Sequence, residues 1–430
     1  MTRPTSPEEP GDEQILAAVA AERPAMEELL TRLVEAPTLL GAEAPGQALM
    51  RAAFEDLGLA PVDVPLDPEA LRAHPGASPF SWDVGGKANV VAGWEPVGPA
   101  DGRTLVLNGH IDVVSPEPAV MWSSPPFSAR REGDWLYGRG AGDMKAGLAA
   151  MVGAVRGLRA LGLAPRGRVE LQSVVEEECS GNGALACVLA GHTADAAIVT
   201  EPTRGAIQNS QVGVLWFQVS VAGRPAHAGD APEGHNAIEA SFPIVRALRE
   251  LEAELNADPP PPYDVYPHPI NLNVGMIRGG DWPSTVAAES VTHFRLALYP
   301  GGDVAELRRR VEETVGDAAA DDGSRSGFEV EVRYDGFACQ GYTLDAPAPL
   351  IDALAGAAER ATGVRPPLFG STATTDARSF QLYGECPALC FGPRAEGIHG
   401  VDERVFLPSM VETAQVLGLF IRDWCGLSAA

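Results

Sequence analysis

Apolar side chains recur at helical spacing between residues 14 and 34, where Pro24 is expected to start or kink a helix. Short apolar runs at 88–92 and 104–107 follow, bounded by polar and glycine-rich segments, and these suit buried strands. The pattern then predicts a helix over 145–161 and strands over 168–175 and 196–200. This alternation belongs to an α/β unit with a mixed or parallel sheet. From about Gln211 the periodicity changes. Strand 214–221, helix 236–255, strands 270–277 and 290–299, helix 303–315 and strand 328–334 give the order βαββαβ, a self-contained ferredoxin-like module with a proline loop at 259–262. A helix over 349–362 and a strand over 388–391 resume the first pattern. The module therefore reads as an insertion, 211–334, between the two parts of an α/β domain, 1–210 and 335–430. A chain of 430 residues is long enough to bury two such cores.

Composition narrows the partners. With 45% hydrophobic and 21% charged residues the chain should fold rather than remain disordered. A formal charge of −26 argues against nucleic acid and anionic membrane surfaces, which need clustered Lys and Arg, and leaves small molecules as the expected partners. Lysine occurs only at Lys87 and Lys145 among abundant arginine, which reads as coding background without a binding role. Residues 1–13 are acidic and proline-rich, with no basic flank before an apolar run, so no secretion signal is expected. No stretch reads as a membrane span. The six cysteines are scattered without zinc-knuckle spacing; neither a disulfide framework nor a cysteine metal site is expected, and a reducing cytoplasm is the expected setting.

Five segments carry candidate chemistry. TLVLNGHIDVV is an apolar strand ending in His110 and Asp112, which alternation places on one side, so that Asp112 could orient the His110 ring. YGRGAGDMKAG exposes Asp143 on a glycine-rich turn before a helix. A dinucleotide fingerprint would need glycine at that position, so this is not one; alone, Asp143 would read as a helix cap. VVEEECSGNG places Glu176, Glu177 and Glu178 directly after an apolar strand, where three carboxylates cannot all ionise without a compensating cation. AIVTEP ends another apolar strand in Glu201, and GIHGVDE sets His399 in a loop. His, Asp, Glu, Glu and His form a nitrogen and oxygen donor set suited to zinc or a neighbouring divalent metal.

In this order the segments resemble the M20 family of metallopeptidases and deacylases, which includes acetylornithine deacetylase, succinyl-diaminopimelate desuccinylase and glutamate carboxypeptidase. The resemblance extends from about residue 105 to residue 407 and implies a zinc-peptidase-like catalytic domain with an inserted lid and dimerisation module. It also implies two divalent ions, zinc first, with cobalt or manganese as alternatives. Asp143 would bridge them, with His110 and Glu201 on one ion and Glu178 and His399 on the other. Glu177 would be the general base. His227 in GRPAHAG matches the lid histidine, which would reach the partner subunit's site in a homodimer. Asn273 in INLNVG and Arg295 in HFRLAL would meet the substrate carbonyl and carboxylate, and Arg378 in TTDAR is a further candidate of that kind. The sequence departs from the family pattern at Ile111, at Cys179 and Ser180, and at Ala228, none of them a ligand position. The histidines at 74, 192, 235, 268 and 293 match no motif and read as structural or solvated.

The function so implied is hydrolysis of the amide of an N-acyl amino acid or similar small N-acyl amine. Metal-activated hydroxide would be the nucleophile, and Glu177 would take its proton and pass it to the leaving nitrogen. The alternative within the class is a di- or carboxypeptidase. The alternative outside it is a non-catalytic metal-binding homologue, which the retained Glu177 argues against.

Overall fold

The computed structural model describes residues 10–321 and 329–430. Most of the acidic start of the chain, residues 1–9, and Phe328 of the predicted strand 328–334 lie outside the described residues. A nine-stranded mixed sheet forms the centre of an α/β architecture. Its path runs Val62–Pro65, Ala88–Trp94, Val169–Val174, Leu105–His110, Ala197–Val199, Ala388–Cys390, Ile207–Gln211 and Tyr342–Thr343, and Leu368–Ser371 also pairs with Ile207–Gln211. The three central pairings on this path are parallel, and those towards both ends are antiparallel.

Strands Leu105–His110, Val169–Val174 and Ala197–Val199 are buried at every position, which is why they read as continuous apolar runs instead of alternating ones. Alternate side chains feed different cores. Leu105, Leu107 and Ile198 join the cluster that includes helices Ala146–Ala160 and Leu407–Cys425. Val106, Ala197 and Val199 join a smaller one with residues of helices Asn182–Leu189 and Ala377–Tyr383. The predicted helix 14–34 is two helices, Asp12–Ala21 and Arg23–Glu35, and Pro24 starts the second. Helix Leu407–Cys425 has no counterpart in the sequence reading, although it is one-sided: Glu412, Gln415, Arg422 and Asp423 share its outer face while the other face packs in the core.

A second, antiparallel sheet has the order Leu272–Gly279, Glu289–Leu298, Gly213–Ala222, Glu329–Arg333, with Ala338–Cys339 added to Gly213–Ala222. Helices Ala237–Leu255 and Val304–Asp321 pack with it around a separate core in which Phe217 and Phe294 stack at 5.0 Å. The chain passes from the first sheet to the second through Val212 alone and returns between Cys339 and Tyr342.

Candidate metal centre

Parallel register brings the motif residues to one edge. His110 ends its strand opposite Val174, so the turn carrying residues 176–178 emerges beside it. Asn108 pairs with Val199, so Glu201 emerges on the other side. Carboxyl ends of parallel strands in open α/β sheets are where ligands bind. Asp143 sits on the tight turn Ala141–Lys145 that precedes helix Ala146–Ala160. The glycines there are sterically required: Gly140 has φ +79, and a Cβ on it would lie 2.5 Å from Val113, while one on Gly142 would lie 2.4 Å from the Ala395 methyl. His399 occupies the loop between Ala395–Glu396 and Arg404–Phe406.

The two oxygens of Asp143 face different histidines. Oδ1 is 3.3 Å from His110 Nε2, and Oδ2 is 3.4 Å from His399 Nε2. His110 Nε2 is also 3.9 Å from Glu177 Oε2 and 3.9 Å from Glu201 Oε1, and His399 Nε2 is 3.0 Å from Glu178 Oε2. His110 with Glu177 and Glu201, and His110 with Asp143 and Glu178, form groups whose donor atoms all lie within 4.8 Å of one another. Glu177 Oε1 is buried with no hydrogen-bond partner among the described residues.

Burial pushes Glu177 and Glu201 well above the usual carboxylate range, and neighbouring carboxylates add to the shift. Burial disfavours the charged ring of His399, yet Glu178 and Asp143 outweigh it and push its pKa up to about 11. His110 is likewise raised, against its burial, by Asp143 and the glutamates. Glu177, Glu201 and both imidazoles are thus all pushed towards their protonated forms, as expected where buried acids crowd together without a compensating cation. Hard oxygen and borderline nitrogen donors, with one carboxylate oxygen still unpartnered, fit divalent ions of the zinc type.

The model of peptidase family M20/M25/M40 matches residues 106–423. The chain belongs to this family. It is 31% identical over 370 residues to the N-formyl-4-amino-5-aminomethyl-2-methylpyrimidine deformylase of Halalkalibacterium halodurans, covering 81% of this chain and 86% of that one. It is 30% identical over 342 residues to the succinyl-diaminopimelate desuccinylase of Paracoccus denitrificans, covering 77% and 85%. Human carnosine dipeptidase 1 shares the fold, with a TM-score of 0.80 over 96% of this chain and 100% of that one, at 16% identity. This M20 protein is a metal-dependent hydrolase of amide bonds.

Within the M20 chain, His110, Asp143, Glu177, Glu178, Glu201 and His399 come together, and the other expected residues lie around or away from them. Asp112 is placed differently from expectation. Its main-chain carbonyl, 2.9 Å from His110 Nδ1, holds the ring, while its carboxylate is 3.8 Å away and accepts the N–H groups of Glu177 at 3.2 Å and Glu178 at 3.0 Å. Burial pushes that carboxyl up to about 7. Asn273 and Arg295 face each other across neighbouring strands of the second sheet and line a cleft of about 180 Å³ with Trp216, His293 and Asp335. The Arg295 guanidinium donates to the carbonyls of Thr372 and Asn271 and forms no ion pair among the described residues. Arg378 is buried, and its fork is taken up by the carbonyls of Thr375 and Ser180, both at 2.9 Å, so it braces the glutamate turn from beneath. His227 is exposed on the second module, and its Nδ1 accepts the Gly229 N–H at 3.0 Å.

Several residues were missed. Both lysines, read as background, are structural. Lys145 is fully buried and donates to the carbonyls of Leu33 and Ala36, and burial pulls its pKa down to about 7. Lys87 pairs with Glu176 at 2.7 Å and with Glu43 at 3.0 Å. The rarity of lysine was the only signal. Asp376, inside the TTDAR segment, is fully buried with neither oxygen hydrogen-bonded among the described residues, and Glu403, inside GIHGVDE, is fully buried as well.

Proposed function

We propose that this chain is an N-deacylase that uses two divalent ions, zinc by preference, to hydrolyse the amide of an N-acyl amino acid or another small N-acyl amine. The observation that carries the reading is Asp143, whose two oxygens face His110 and His399 on opposite sides. Asp143 would bridge the ions, His110 and Glu201 would complete one site, and Glu178 and His399 the other. When bound, the ions would acidify a water towards neutrality and polarise the substrate carbonyl. Glu177 is the acid–base residue in this reading, because it reaches the same cluster while one of its oxygens stays unpartnered and its raised pKa suits a group that takes up and returns a proton. It would pass that proton to the leaving nitrogen. Arg295, a cation without an acidic partner, would bind a substrate carboxylate, with Asn273 beside it on the carbonyl. Residues 211–334 would act as lid and dimer contact, bringing His227 to the partner subunit's oxyanion. Both named relatives remove an acyl group from an amine, which favours deacylation over peptide cleavage. Six unpaired, buried cysteines support a reducing compartment such as the cytoplasm, and no helix among the described residues is long and apolar enough to cross a membrane.

Elemental analysis together with an activity screen tests the reading. The expected result is up to two zinc, cobalt or manganese ions per chain and release of amine from N-formyl, N-acetyl or N-succinyl substrates. Faster cleavage of dipeptides would favour the peptidase alternative. Metal uptake with no hydrolysis of either class would favour a non-catalytic protein, and no metal with no activity after metal addition would refute both.

A further inference from the structure

Asp143 and His399 sit on two segments far apart in sequence that hang from one β-pair. Strand Trp135–Tyr137 runs into the Asp143 turn, and the His399 loop runs into strand Arg404–Phe406, with Tyr137 opposite Arg404. Beyond that pair the ladder continues by one bond, from Gly138 N–H to the Glu403 carbonyl at 2.9 Å. The Glu403 side chain then turns into the Asp143 turn and is fully buried. Its Oε1 accepts the N–H groups of Gly142 at 2.9 Å and Asp143 at 3.0 Å, and its Oε2 accepts that of Gly140 at 3.0 Å. Arg139, 2% exposed, donates to the same Oε2 at 2.6 Å and through its other nitrogen to the Gly400 carbonyl at 2.9 Å. The ion pair thus ties the residue after His399 to the turn that carries Asp143.

We propose that Glu403, clamped by Arg139, is a positioning residue that fixes the Asp143 turn and the His399 loop relative to each other and so sets the affinity for the second metal ion. The inference rests on the two-ion reading above. His110 and Glu201 leave strands of the central sheet and do not depend on the clamp; Glu178 leaves the turn that Asp112 holds. The ion that needs His399 is therefore the one exposed to loss of Glu403, while the other shares only Asp143 with it. Glutamine at 403 has one acceptor oxygen for donors that now use two, and its NH₂ would face N–H groups. Lysine at 139 keeps the charge but cannot bridge Glu403 and Gly400 with a planar fork.

The test compares wild type, Glu403→Gln and Arg139→Lys as full chains. Zinc titration against a competing chelator reads the two affinities, and amide hydrogen exchange on the metal-free proteins reads the clamp directly. For Glu403→Gln the second zinc should bind at least about tenfold more weakly and the first with a smaller change, while the amides of Gly140, Gly142 and Asp143 exchange at least about tenfold faster. Arg139→Lys, the milder change, should weaken the second zinc and speed exchange in residues 397–403. Helix Leu407–Cys425 should keep its protection in both, which separates a local effect from general unfolding. Unchanged exchange at the three amides, equal weakening of both ions, or both ions bound as in wild type would overturn the inference. A wild-type chain that takes up no zinc would instead refute the two-ion reading and with it the claim about affinity, and exchange would still decide whether the clamp exists.

Discussion

Glu177 and Glu178 are adjacent, yet their side chains meet different partners. Glu178 lies 3.0 Å from His399, whereas Glu177 turns one oxygen towards His110 and leaves the other without a partner. Both N–H groups are held by the Asp112 carboxylate, so a buried group fixes the backbone from which the two side chains diverge. The predicted consequence is a split between two isosteric changes. Glu177→Gln should lower kcat by at least about 10²-fold with metal content unchanged, as expected for loss of a proton acceptor. Glu178→Gln should lose one metal ion. Steady-state kinetics and elemental analysis of both variants check this, and the reverse pattern would exchange the two roles. The run of three glutamates was legible as a place needing a cation. The family resemblance assigned Glu178 to the His399 site and Glu177 to proton transfer; that the Asp112 carboxylate, more than sixty positions earlier, holds both N–H groups was not legible.

The turn that follows strand Val169–Val174 is the element on which the centre depends, and it begins with Glu176 at φ +63, a left-handed backbone unusual for a residue with a side chain. Its carboxylate is fully buried and accepts from Trp82 Nε1 at 2.8 Å, Lys87 Nζ at 2.7 Å and Ser180 Oγ at 3.0 Å. Lys87 thus neutralises one of the three consecutive glutamates from behind the site. Removing one member of a buried pair strands the other charge, at a cost of about 3–5 kcal/mol. Lys87→Met should therefore destabilise the metal-free protein by about 3 kcal/mol in urea unfolding, and Glu176→Gln added to it should recover part of the loss. An undiminished stability in Lys87→Met would mean that Trp82 and Ser180 suffice to hold Glu176. Strand 168–175 leading into this turn was legible from its apolar run, whereas helix Asn182–Leu189 after it was not predicted; a lone lysine in a polar segment before a strand carries no periodic signal, and its partner became visible only when the sheet was assembled.

At the scale of the whole molecule, His227 stands exposed on the second module; its ring accepts the neighbouring Gly229 N–H, and its main chain bridges Thr285 of the same module. If it serves the partner subunit's site in a homodimer, mixing inactive His227→Ala chains with inactive Glu177→Gln chains should restore activity. Each hybrid dimer holds one doubly defective site and one intact site, so random exchange should return up to about a quarter of wild-type activity. No recovery after verified exchange would place His227 outside the partner's site. Hydrophobic periodicity by itself determined the two kinds of architecture and their order, since local spacing of apolar residues decides which segments are buried strands and which are one-sided helices. Helix Leu407–Cys425 was left out of that reading, although its polar face, with Glu412, Gln415, Arg422 and Asp423, follows the same rule. Strand ends, the glycine turn and the donor residue types were likewise written in the sequence, and with them the candidate ligands. Only the tertiary structure decided that Asp143 stands between two histidines, that a main-chain carbonyl holds His110, and that Arg139 and Glu403 clamp the two loops. Each of those depends on contacts between segments distant in the chain, and sequence spacing does not encode such distances.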